Sequence, residues 1–142
     1  MIWVEERIIN QISNPQNFTN TVNPQTVFIK VVNTVSNCYA EIPLELIVEV
    51  PPVINPNVNI QICEDASFTY NLNDALPELI DTTQSIVSEF YATLNDALLQ
   101  QNMLNTNYTY NVGSQNIYLR ANFTGSDCFN VEPFTLTANP LP

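Results

Sequence analysis

The segment SNCYAEIPLELIVEVPP, residues 36–52, returns at residues 126–142 as SDCFNVEPFTLTANPLP. Placing Cys38 on Cys128 sets an offset of 90 residues, and that one offset, without a gap, also matches Asn17 with Asn107, Gln25 with Gln115, Ser36 with Ser126, Leu46 with Leu136 and Pro52 with Pro142. Several differences keep the chemistry: Phe28/Tyr118, Ile29/Leu119, Lys30/Arg120, Tyr39/Phe129 and Leu44/Phe134. Self-similarity at a fixed period marks a repeat architecture, and it sets the frame for every local reading.

The chain therefore contains one complete unit, residues 53–142, preceded over residues 1–52 by the C-terminal part of another. VPPVINPNV, residues 50–58, carries three prolines and forms the boundary. Proline at that density favours an extended, semi-rigid joint.

Within the complete unit, NIQICEDASFTYNL alternates over its second half, with Ala66, Phe68, Tyr70 and Leu72 on one side, and reads as strand. SIVSEFYATL reads as a second strand. NDALLQQN, residues 95–102, begins with side chains able to cap and continues with helix formers, so a short helix is expected there. YTYNV, NIYLRAN and EPFTLTA supply three further β-rich runs, and strands at this spacing imply an all-β sandwich. QTVFIKVV and PLELIVEV are the corresponding strands of the partial unit. They lack their early neighbours, and exposed edges of that kind recruit partners. MIWVEERIINQ is expected to replace part of what is missing.

Composition narrows the function. Fourteen acidic residues face only Arg7, Lys30 and Arg120, for a net charge of -11. Such a surface repels polyphosphate, so nucleic acid is excluded as a partner. No apolar run is long enough to span a bilayer. The acidic N-terminus is not an export signal. Histidine is absent, which removes the commonest general base and metal ligand, and no nucleophile elbow, phosphate loop or zinc spacing occurs. The expectation is a protein that is not an enzyme, with no catalytic residues.

Cysteine usage points to structure. Cys63 opens the complete unit and Cys128 precedes its last strand, so the two are expected to form a disulfide closing the unit, a bridge of roughly 4 kcal/mol by loop-closure entropy. Cys38 then lacks a partner: its expected mate, at the position equivalent to Cys63, falls upstream of Met1, leaving it unpaired through truncation. A Cys63–Cys128 bridge would gather Glu64, Asp65 and Asp127. Three carboxylates so placed would suit calcium, although no calcium-loop spacing is present.

ICEDASFTYNL, SEFYATLNDALLQQN, NIYLRAN, the Cys128–Phe129 pair and the closing NPLP resemble the tandem repeats of giant Bacteroidetes surface proteins. These include the gliding-motility adhesins exported by the type IX secretion system. The similarity covers Ile60–Pro142 and Asn17–Pro52. It implies an immunoglobulin-like sandwich within a long extracellular filament at the cell surface, whose partners are neighbouring repeats, the gliding or secretion machinery and surface polysaccharide. That family's C-terminal sorting domain is not among these residues. Two alternatives from other classes stand beside this reading: a calcium-dependent carbohydrate-binding module using Glu64, Asp65 and Asp127, and a fibre subunit that assembles by strand donation into the incomplete first unit.

Overall fold

The computed structural model describes residues 2–4 and 11–142, with side chains from residue 11 onward. The fold is mostly β. It divides into two compact units, Met1–Glu49 and Val50–Pro142.

Unit 2 is built on a four-stranded sheet. Strands β4 (Asn59–Cys63), β6 (Ile86–Tyr91), β8 (Gly113–Phe123) and β9 (Phe129–Asn139) lie in the order β4-β9-β8-β6. A two-stranded ribbon, β5 (Thr69–Asn71) with β7 (Asn107–Thr109), lies apart from that sheet. The pattern of alternation explains the buried face. Ile117, Leu119 and Ala121 on β8 and Phe134, Leu136 and Ala138 on β9 point one way and are buried, as period-2 side-chain alternation requires. They pack against Leu72, Ala75, Leu79, Ile80, Phe90 and Tyr110 in one core.

Part of that core comes from a segment read as continuous strand from sequence. The Asp65 carboxylate accepts hydrogen bonds from the Ser67 and Phe68 amides, which turns the chain. Phe68 takes a φ of 49° and stays 42 % exposed. After β5 the chain winds into a 3-10 turn over Leu72–Ala75, where the Asn71 side chain accepts from the Asn73 amide, and continues as α1 (Leu76–Leu79) with Pro77 in its first turn. Proline is tolerated there because those amides have no intrahelical partner. The one helix expected from sequence, over residues 95–102, forms as α2 (Leu94–Leu99). Its cap is Thr93, whose hydroxyl accepts from the Asp96 amide at 3.1 Å and donates to the Asp96 carboxylate at 2.7 Å. Gln100 closes it in the left-handed region.

Unit 1 is a three-stranded sheet, β1 (Ile2–Val4), β2 (Gln25–Val32) and β3 (Tyr39–Leu46), in the order β1-β2-β3. The 90-residue offset holds pair for pair in the ladders. Gln25 lies opposite Leu46 as Gln115 lies opposite Leu136, and Val32 opposite Tyr39 as Asn122 opposite Phe129. β1 takes the place that β6 has in unit 2, with Trp3 opposite Ile29 where Phe90 lies opposite Leu119. Of the N-terminal segment expected to replace part of what is missing, residues 2–4 add a strand to the sheet of unit 1, while residues 5–10 lie outside the described residues.

Among the described residues unit 1 has no counterpart of β4, of the β5–β7 ribbon or of α1. Burial records the consequence. Ala121, Phe134 and Ala138 are 0 %, 2 % and 1 % exposed, whereas Val31, Leu44 and Val48, at the same repeat positions, are 44 %, 37 % and 55 % exposed. Ile12, Pro15 and Phe18 shelter the middle of that face and form a groove with Val27, Leu44 and Leu46.

Candidate functional site

Hydrogen bonds at the two ends of the main sheet of unit 2 fix where its cysteines lie. At the upstream end the chain arrives at Pro52, whose carbonyl accepts a hydrogen bond from Asn130 Nδ2 at 3.3 Å. Farther on, the Thr135 amide donates to the Val58 carbonyl at 2.9 Å. Residues 52–63 thus run beside β9 from its start to its finish, and β4 pairs with it in parallel, Asn59 opposite Thr135 and Cys63 opposite Asn139. The downstream end is therefore the Cys63 end. There the Glu64 amide donates to the Asn139 carbonyl at 2.8 Å, and the Leu141 amide donates to Glu64 Oε1 at 3.0 Å, so the chain leaves next to Cys63.

Cys128 lies at the other end, in the β8–β9 hairpin. Its amide donates to Ser126 Oγ at 3.1 Å, Asn122 Nδ2 donates to the Ser126 carbonyl at 3.0 Å, and the sharp reversal uses Gly125 at a φ of 83°. Cys38 holds the same place in unit 1, its amide donating to Ser36 Oγ at 3.4 Å.

This arrangement corrects the expected Cys63–Cys128 bridge. Cys63 faces Asn139 across the ladder, and Asn139 is separated from Cys128 by the whole of β9, roughly 35 Å at strand rise. A disulfide needs Cα atoms about 4.4–6.8 Å apart. Three free thiols follow, with Cys38 and Cys63 exposed and Cys128 half-buried.

The expected calcium triad falls with the bridge, because Asp127 sits beside Cys128 and the two other carboxylates sit beside Cys63. Each of those two is also engaged. Glu64 holds the Leu141 amide. Asp65 Oδ1 accepts from Ser67 Oγ at 2.6 Å and from two amides, and these bonds, the Ser67 hydroxyl first, hold its carboxyl below the usual range. Among the described residues no group of three potential ligands converges.

A second polar cluster was not read from sequence as a unit. The Arg120 guanidinium lies over the Phe129 ring, 3.4 Å from its centroid, and Nη1 donates to the Ala97 carbonyl of α2 at 3.0 Å. Glu89 faces it at 3.9 Å, too far for a hydrogen bond, so the attraction is coulombic. Glu89 also accepts from the Tyr91 hydroxyl at 2.9 Å and from Gln100 Nε2. Burial, and then the Glu89 carboxylate, push the Tyr91 phenol up to about 12. In unit 1 Lys30 Nζ lies over the Tyr39 ring at 4.2 Å. The paired substitutions Lys30/Arg120 and Tyr39/Phe129 were the sequence signal for this cation–π contact. A further echo joins the units: Gln25 Oε1 accepts from the Thr21 amide and Gln115 Oε1 from the Asn111 amide.

Two segments of the chain, residues 5–52 and 59–142, match the model of one domain family, described as the Flavobacterium inter-domain disulphide bond domain. The chain belongs to that family. No curated protein matches the sequence. The family description accounts for cysteines that sit at opposite ends of a unit and have no partner within it. An inter-domain disulphide is a feature of oxidising compartments, extracellular or periplasmic. Among the described residues no helix is long and apolar enough to cross a membrane.

Proposed function

We propose that the chain is a tension-bearing repeat segment of a secreted cell-surface adhesin filament, serving gliding motility or surface attachment without catalytic work of its own. The observation that carries this reading is the parallel pairing of β4 with β9. These are the first and last strands of the unit, and the chain arrives at one end of β9 and leaves at the other. A pull along the filament loads that pair in shear, so its hydrogen bonds share the load instead of opening one at a time.

The strand order also supports an immunoglobulin-like sandwich. Adjacent β6, β8 and β9 correspond to strands C, F and G of that fold, and the β5–β7 ribbon to its B and E pair. Neighbouring repeats are the first partners of such a unit, with the gliding or secretion machinery and surface polysaccharide beyond them.

Force spectroscopy tests the mechanical reading. Held at residues 50 and 142, unit 2 is expected to lengthen by about 27 nm in one event, the roughly 31 nm span of the extended chain less the roughly 4 nm that already separates its folded ends. It should do so at several times the force needed when it is held at Cys63 and residue 142, a geometry that peels strands apart. Equal forces in the two geometries would refute shear loading.

The uncovered face of unit 1, with Val31, Leu44 and Val48 exposed, favours a second reading, a fibre subunit that receives a strand from another copy. Sedimentation tests it: concentration-dependent assembly supports donation, and a monomer at high concentration rules it out.

A further inference from the structure

We infer that Cys63 of each unit is bridged to the residue equivalent to Cys128 in the following unit, so that the disulfides of the filament all run forward, from the downstream end of one repeat to the upstream end of the next. The inference rests on the tandem-array reading above. It assigns the pairing that the family description leaves open.

The geometry comes from contacts within unit 2. On the downstream side Cys63 is followed by Glu64, whose carboxylate holds the Leu141 amide at 3.0 Å, and Leu141 precedes Pro142. On the upstream side Pro52 shows how such a proline is received: its carbonyl accepts from Asn130, two residues from Cys128. Pro52 and Pro142 are equivalent positions of the repeat. In a following unit, the counterpart of Asn130 would therefore hold Pro142 as Asn130 holds Pro52. One proline then lies between Cys63 on one side and the counterpart of Cys128 on the other, each within a few residues of it.

The remaining pairings do not fit this layout. Cys63 and Cys128 of one unit are separated by the length of β9. Cys38 occupies the hairpin position of Cys128, so under the same forward rule its partner would be the Cys63 equivalent of a preceding repeat and not Cys63 itself. The chemistry is thiol–disulfide exchange. The Cys63 thiolate attacks a disulfide oxidant, and the thiol of the next unit then displaces the mixed disulfide. Two thiols lose two protons and two electrons, and the oxidant is reduced to two thiols.

The test appends a second copy of residues 53–142 directly after Pro142 of the full chain, refolds it in reduced and oxidised glutathione, and maps disulfides by proteolysis and mass spectrometry without reduction. The expected product links Cys63 to the copied Cys128, while Cys38, the original Cys128 and the copied Cys63 remain open to alkylation. Cys63→Ser should abolish the link and Cys38→Ser should leave it. A bridge within one copy, a link to Cys38, or a free Cys63 in a protein whose two copies both show protected β8–β9 amides would overturn the pairing while leaving the array intact. Failure of the appended copy to acquire protected amides would overturn the array reading and the pairing with it.

Discussion

Leu46 and Leu136 are the same residue at the same repeat position, each facing a glutamine across an antiparallel ladder, yet their replacement by alanine should not cost the same. Leu136 is 0 % exposed and packed among Phe134, Leu119 and Leu72 in a closed core. Removing its branch leaves a cavity, and Leu136→Ala should destabilise unit 2 by about 3–5 kcal/mol. Leu46 is half-buried on the wall of an open groove. Water can reach that site, so the cavity penalty drops out and only part of the transfer free energy of the lost carbons remains, about 1–2 kcal/mol at roughly 0.8 kcal/mol per buried methylene. The difference, about 2 kcal/mol, is roughly a thirtyfold difference in the opening equilibrium. Amide hydrogen exchange followed by mass spectrometry reads it directly, as the change in protection of β9 peptides in one variant and of β3 peptides in the other. Equal losses would show that the inner face of unit 1 is as well covered as that of unit 2, and would refute the account of its uncovered side.

Other expected outcomes follow from local geometry. The Tyr91 phenol has a folded-state value of about 12, above its unfolded value near 10, so the folded state binds the extra proton. Its contribution is full below pH 10 and is lost as the pH rises towards 12; urea titrations of Tyr91→Phe against the parent should show that alkaline loss missing in the variant. Thr93→Ala removes the cap of α2 and should cost about 1 kcal/mol by equilibrium unfolding, with the loss localised by exchange to residues 94–99. Arg120→Lys keeps the charge but gives up the planar stack on Phe129 and the fixed bond to the Ala97 carbonyl; a loss of about 1–3 kcal/mol is expected, and a change below 0.5 kcal/mol, about the size of an ordinary surface substitution, would show the stack to be incidental. Mild oxidation of dilute native chain, followed by maleimide labelling, should find no bridge between Cys63 and Cys128.

The repeat was legible in the sequence because it is periodic, and the hairpins that carry it follow from local rules. Gln25, Lys30, Tyr39 and Leu46 match their partners at a fixed offset, and antiparallel strands joined by a short turn take their register from that turn and from the apolar alternation. The ribbon and the α1 turn were less legible, since Asp65 redirects the chain through hydrogen bonds to Ser67 and Phe68 that no apolar pattern announces. The sequence by itself determined that one offset of 90 residues relates two parts of the chain, that both parts are rich in β-type runs, and that Cys38 and Cys128 are equivalent while Cys63 stands apart. Only the tertiary structure decided which cysteines can meet. β4 joins β9 in parallel across some seventy residues of intervening chain, and that non-local pairing carries Cys63 to the far end of the strand that Cys128 precedes. Order along a chain says which residues open and close a unit, but a parallel ladder places them at opposite ends of it.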